Sequence, residues 1–141
     1  MTAEEKQLLL KDLSARLPYG VMAKPNKGVG FIPARVTTIT DYIDVKVTLE
    51  GSLVLPLDMV QPYLRPMSSM TEEEKDELYT AMDWYGEIDE TGNVYTKGQE
   101  KVYRETFYEY TDWLISHHFD FHGLIPMNLA LEAPKGMYKT E

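Results

Sequence analysis

The chain has 141 residues, is 43% hydrophobic, contains no cysteine and carries a formal net charge of −9. That length fits one compact domain or two very small modules sharing a core, and the apolar content argues against wholesale disorder. Without cysteine there is no disulfide, thiolate zinc site or cysteine nucleophile, and the acidic balance argues against tight binding to a phosphate backbone while permitting a basic protein surface as partner.

Thr2 and Glu5 match a capping box, and Leu9, Leu13 and Leu17 then recur every four residues with Leu10 widening the stripe. An amphipathic helix is predicted over about Ala3 to Arg16, ended by Pro18. From Tyr19 the texture changes. The short apolar run "YGVMAKP" closes on the turn cluster Pro25 to Gly28, and "GVGFIPARVTTIT" follows, rich in β-branched residues. In "YIDVKVTLE" Ile43, Val45, Val47 and Leu49 fall on one face, with Asp44, Lys46 and Thr48 on the other, the pattern of a half-buried strand. Glu50-Gly51-Ser52 is a tight turn and "LVLPLDMV" returns as a strand, with Pro56 marking an edge or a strand end. Four or five short strands in this region predict a small antiparallel barrel or curled sheet.

Pro62 and Pro66 punctuate a connector. Thr71 and Glu74 form a second capping box ahead of a helix whose first turn is acidic, with Leu78, Met82 and Tyr79 or Tyr85 as its buried side. Thr91-Gly92-Asn93 is a hairpin or loop signal. A third helix, about Gln99 to His117, places Tyr103, Phe107, Tyr110 and Leu114 on one face, broadened by Val102 and Trp113. Gly123 and Pro126 break any long helix, the chain turns polar after Ala133, and its last few residues are expected to fray.

Chemistry-bearing residues concentrate in "HHFDFHGLIP", which holds all 3 histidines. On a helix His118 and His122 would share a face at the spacing of H-E-x-x-H zinc enzymes, but Phe119 stands where the glutamate belongs and Gly123 follows at once. If extended, His118, Asp120 and His122 would share a face and could converge as metal ligands, with Phe119 and Phe121 opposite. The competing reading makes these rings packing elements and Asp120 a cap on the following turn. Gly28 and Gly30 lack the spacing of a phosphate loop, Ser68 and Ser69 lack a nucleophile elbow, and Asp89 with Gly92 gives only a fragment of a calcium loop. The aromatic set Tyr103, Phe107, Tyr108, Tyr110 and Trp113 could stack bases, but helical spacing and negative charge favour a core face. Lys24, Lys27 and Arg35 give the strand region a modest positive bias, which leaves nucleic-acid binding as a weaker alternative.

Three stretches, "LSARLPYGV", "PYLRPMSSMTEEE" and "DWLISHHFDFHGLIP…LALEAP", resemble a family of small uncharacterised proteins common in gut-bacterial genomes, prophages and other mobile elements. The resemblance spans nearly the whole chain. It implies a phage or mobile-element context and carries no catalytic residues with it.

The expected fold is α+β: an N-terminal helix and a small SH3-like antiparallel β-barrel over 1–66, then a helical C-terminal region over 67–141 packed on it as one cooperative unit. The expected function is a non-enzymatic interaction or regulatory module whose partner is a host or phage protein. Its candidate contacts are Tyr19, Tyr42 and Tyr63 and the acidic helix start Glu72, Glu73, Glu74 and Glu77. The alternative is a metal-binding protein or metal-dependent enzyme using His118, Asp120 and His122. No other cofactor is expected. The N-terminus lacks a basic region and a long apolar stretch, so a cytoplasmic location is expected.

Overall fold

A computed structural model describes residues 1–27, 31–41, 43–82, 86–88, 94–96 and 104–138. Helix α1 spans Ala3–Arg16. Its capping box is formed in both directions: Glu5 N–H donates to Thr2 Oγ1 and Thr2 N–H to Glu5 Oε1. A 3-10 turn, Leu17–Tyr19, and Gly20 at φ 75° turn the chain into the sheet. The strands β1 (Met22–Pro25), β2 (Ala34–Asp41), β3 (Val45–Leu49) and β4 (Leu53–Pro56) follow. A 3-10 turn, Leu57–Met59, leads into β5 (Val60–Leu64). Helix α2 (Glu72–Met82), the hairpin β6 (Gly86–Ile88) and β7 (Val94–Thr96), helix α3 (Arg104–Ser116) and the short β8 (Leu131–Glu132) complete the fold.

The mixed α+β class and the N-terminal helix are as expected. The main sheet runs β4-β3-β2-β1-β5-β8, and among the described residues it is open, with β4 and β8 as its edges. The first five strands are joined antiparallel, whereas β8 lies parallel to β5 through Tyr63↔Leu131 and Leu64↔Glu132. Strand β3 begins at Val45, later than the alternation suggested. Ile43 precedes it and is 91% exposed, while Val47 and Leu49 are buried. Beyond α3 the chain runs through turns to β8, in line with Gly123 and Pro126 denying it a regular helix.

Two apolar clusters hold these elements. Leu9 and Leu13 of α1 pack with Val21, Val36, Val47 and Leu64 of the sheet region, and Leu124 and Leu129 join them from the C-terminal turns. The second cluster sits under α2 and α3: Met70, Leu78, Tyr110, Leu114 and Phe119. Each fully buried leucine here contributes about 1.5–3 kcal/mol of transfer free energy. Tyr42, Gly28, Gly30, Asp89, Gly92, Val102 and Tyr103 lie outside the described residues, as do the side chains of Tyr79, Met82, Phe107 and Tyr108.

Candidate functional site

Helix α1 buries an ion pair beside its leucines. Asp12 and Arg16 stand three and seven residues after Leu9, so they share its inward face, and their exposures are 1% and 0%. Arg16 Nε donates to Asp12 Oδ1 at 2.6 Å and Arg16 Nη2 to Oδ2 at 3.1 Å. Nη2 also donates to the Phe119 carbonyl at 2.6 Å, tying α1 to the turn after α3. On the far side of Asp12, His122 Nδ1 lies 2.7 Å from Oδ2. Burial works to raise the Asp12 pKa. The His122 hydrogen bond, the Arg16 charge and the Arg16 hydrogen bond outweigh it and hold this carboxyl below its ordinary value. An ionised carboxylate only accepts, so a His122 proton sits on Nδ1, and in the neutral form of the ring Nε2 is an acceptor. Among the described residues no hydrogen-bond partner meets that Nε2.

The turn that carries His122 is held by Asp120. Its two carboxylate oxygens accept from Leu124 N–H at 2.8 Å and Ile125 N–H at 2.9 Å, closing the loop over its own side chain. Between this loop and the turn after β5 lies a half-open cavity of about 690 Å³, with His122, Phe121, Asp120, Ser68 and Glu132 among its lining. Among the described residues no lysine or arginine lines it. The lining comes from residues 66–68, 120–126 and 132, so the cavity joins the turn after β5 to the C-terminal turns.

His117 and His118 are used differently. Helix α3 ends in a Schellman motif: His118 N–H donates to Ile115 O and Phe119 N–H to Leu114 O, with His118 at φ 67° in the left-handed position. Leu114 and Phe119 supply the apolar contact that accompanies such a cap. The His118 ring stacks on Tyr138 with centroids 3.6 Å apart. Burial, followed by the nearby positive charges of Arg16, His117 and Arg65, pushes its pKa down to about 4. His117 stacks on Trp113, and its Nδ1 meets the Trp113 carbonyl at 2.9 Å. The three candidate ligands His118, Asp120 and His122 therefore engage separate partners. Among the described residues no group of three or more His, Cys, Asp or Glu side chains is placed to hold a metal ion.

Of the expected contact residues, Tyr19 is 43% exposed and Glu72, Glu73 and Glu77 are exposed on α2. Glu74 is turned inward: it accepts both Arg65 guanidinium nitrogens, at 2.7 and 2.8 Å, as well as Thr71 N–H. Burial opposes ionisation of Glu74, but the hydrogen bonds from Arg65 and Thr71 and the Arg65 charge keep its pKa below the usual value. Arg65 also lies over the Phe119 ring at 4.1 Å, and its backbone is bridged to the segment after α3. Tyr63 is half-buried on β5, and its carbonyl accepts from Tyr138 Oη at 2.7 Å. Tyr138 Oη in turn accepts from Met22 N–H at 2.8 Å, so the tail is docked as far as that residue; residues 139–141, at the end expected to fray, lie outside the described residues. Lys24 lies on β1, Lys27 in the turn after it, and Arg35 sits 3.8 Å from Glu50.

Asp12, Arg16 and Tyr138 escaped the sequence reading. The first two had a signal: i,i+4 spacing on the Leu9–Leu13 stripe. Tyr138 had none, because its partners lie 75 and 116 residues away. No helix among the described residues is long and apolar enough to cross a membrane. Comparison with protein-family models, curated proteins and solved structures gave no match.

Proposed function

We propose that the protein is a non-enzymatic interaction or regulatory module of the phage and mobile-element kind, working in the cytoplasm on another protein. The observation that carries the reading is the free edge of β4. This strand ends the sheet, its sequence LVLP holds no charge, and Leu53 and Val54 are 39% and 54% exposed. Sheet edges are ordinarily blunted by charge, cover or bulges, since open N–H and C=O groups recruit further strands. Among the described residues, the shortness of β4 and Pro56 at its end are what blunt the strand itself. The occupant that fits is an extended, lysine- or arginine-bearing segment of a partner protein, adding to β4 by main-chain hydrogen bonds. Exposed Asp44, Glu50 and Asp58 flank the edge, and the chain's net charge of −9 favours a basic partner.

The strand row β4-β3-β2-β1-β5, the register shift in β2 between Val36 and Thr38, and the 3-10 turn ahead of β5 support curling of this unit into a partly closed SH3-like barrel. A bulge lets one long strand serve two sheet halves and leaves the β4 rim accessible. Tyr19, Glu72, Glu73 and Glu77 are available as secondary contacts, whereas Glu74 is committed to Arg65.

The test compares wild type with Val54→Lys. Val54 is half-exposed, so the substitution leaves the core alone while placing a charge on the edge. A host protein retained by wild type, lost by V54K and protecting β4 amides from hydrogen exchange in the complex supports the reading. A partner retained equally by V54K, or protection confined to other elements, refutes it.

A further inference from the structure

We infer that the cavity beside His122 is a binding site for a protonated amine carried on an apolar body. The first argument is sign. Among the described residues the ionisable side chains lining the cavity are Asp120, His122 and Glu132, with no lysine or arginine. Arg16, buried behind the cavity, is paired through Nε and Nη2 with Asp12 and the Phe119 carbonyl. A cavity with carboxylates in its wall repels anions and concentrates cations.

The second argument is the match of donors to acceptors. An ammonium offers three N–H donors and no acceptor. The cavity offers acceptors whose lone pairs are not consumed internally: His122 Nε2, the Glu132 carboxylate and the Ser68 hydroxyl. His122 presents that nitrogen because Asp12 holds its other one at 2.7 Å, which fixes both ring orientation and tautomer. Asp120 contributes charge and shape, its oxygens being held by the Leu124 and Ile125 amides. A loop closed in this way needs little ordering when a ligand arrives.

The third argument is the wall itself. Phe121 and Ile125 lie alongside these polar groups, and a volume of about 690 Å³ falls in the usual range for small-ligand sites. An aryl or alkyl body would pack on this wall while its ammonium faced Glu132 and His122. The chemistry is shared by a free small amine and by the lysine side chain of a partner. The proposal is independent of the β4 edge, so either can fail while the other stands.

The experiment titrates three probes with one body, phenethylamine, 2-phenylethanol and 3-phenylpropionate, near neutral pH, against 15N-labelled protein. The readouts are the amides of Gly123, Leu124 and Ile125 and the His122 ring nitrogens. Phenethylamine is expected to shift them saturably, with the alcohol at least about fivefold weaker and the carboxylate weaker still. Glu132→Gln, at an exposed position, is expected to weaken the amine by about fivefold and leave the alcohol unchanged. N-acetyl-lysine N-methylamide forms a second arm: tighter binding than phenethylamine assigns the site to a partner's lysine, weaker binding to a free amine. Carboxylate binding as well as the amine, shifts lying outside 120–126, an unchanged amine affinity in E132Q, or no saturation with either amine overturns the proposal.

Discussion

Replacing Arg16 by methionine is expected to destabilise the protein by about 3–5 kcal/mol, a large share of the ~5–15 kcal/mol that holds a domain folded. The figure follows from what the guanidinium leaves behind. Asp12 is 1% exposed and would be left with His122 beside it, while the Phe119 carbonyl would keep Phe121 N–H but lose its link to α1. Methionine fills much of the arginine stem's volume, so the cost reports the stranded charge rather than a cavity. Removing both charges together is a milder change. Asp12→Leu/Arg16→Met is expected to cost no more than about 1–2 kcal/mol, since a buried ion pair roughly breaks even against packed apolar side chains. His122, which is partly exposed to the cavity, can then be hydrated. Urea unfolding followed by circular dichroism reads both variants, and the single substitution is expected to lower the midpoint by roughly 2 M at an m-value of about 2 kcal/mol/M. A loss below about 1 kcal/mol in R16M would show that water reaches Asp12. A double variant as costly as the two single variants summed would show that the groups are uncoupled. Either result refutes the network as drawn.

Acid should weaken the fold in a defined window. His118 is neutral in the folded protein down to about pH 4, whereas in the unfolded chain it takes up a proton near 6.5. The unfolded state therefore binds more protons between these values. Stability is complete above pH 6.5 and falls by up to about 3 kcal/mol as pH drops to 4. Asp12 and Glu74, both held below their ordinary pKa, add further loss below the usual carboxylate range. His118→Asn, which tolerates the left-handed backbone, should flatten the 6.5-to-4 part of the curve; an unchanged slope would place the titration elsewhere. At the other end of the scale, burial raises the Tyr138 pKa to about 12, partly offset by the Met22 amide. Wild type should lose stability as pH rises from 10 toward 12, because the unfolded tyrosine ionises first. Tyr138→Phe should lack that loss and cost about 1–3 kcal/mol near neutrality, as Met22 N–H and the Tyr63 carbonyl lose their partner. Equal thermal stability of Y138F and wild type would mean that the tail is not docked.

What could be read in the sequence was what short-range physics writes there. The two capping boxes, Thr2–Glu5 and Thr71–Glu74, depend on residues three apart, and both are formed. The alternation from Val45 to Leu49 and the turn at Gly51 are equally local. Ile43 misled because alternation does not say where a strand begins, and at its end a residue can keep the pattern and still face water. The polar knots were not legible for the opposite reason. Arg16 meets Phe119 across 103 residues and His122 meets Asp12 across 110, so no window of sequence contains both partners. Glu74 shows the two scales competing. Its capping role was visible, but the arginine nine residues earlier turns it from a surface charge into a buried one.

The segment from His117 to Pro126 sharpens that contrast, because neighbouring side chains of one kind were separated by their long-range partners. His117 rests on Trp113 of its own helix, and His118 is trapped between a left-handed backbone and Tyr138. For His118 burial disfavours the imidazolium, and its ring serves as a flat surface against Tyr138. His122 alone is gripped by a carboxylate at one nitrogen with the other nitrogen left open to a cavity. A purely packing histidine gains nothing from a buried, ionised Asp12, whose desolvation costs several kcal/mol before Arg16 and His122 offset it. Fixing one ring in one tautomer at the wall of a cavity is what such a carboxylate accomplishes. For that reason the amine titration is expected to report at His122 Nε2, and to leave the His118 ring nitrogens unmoved.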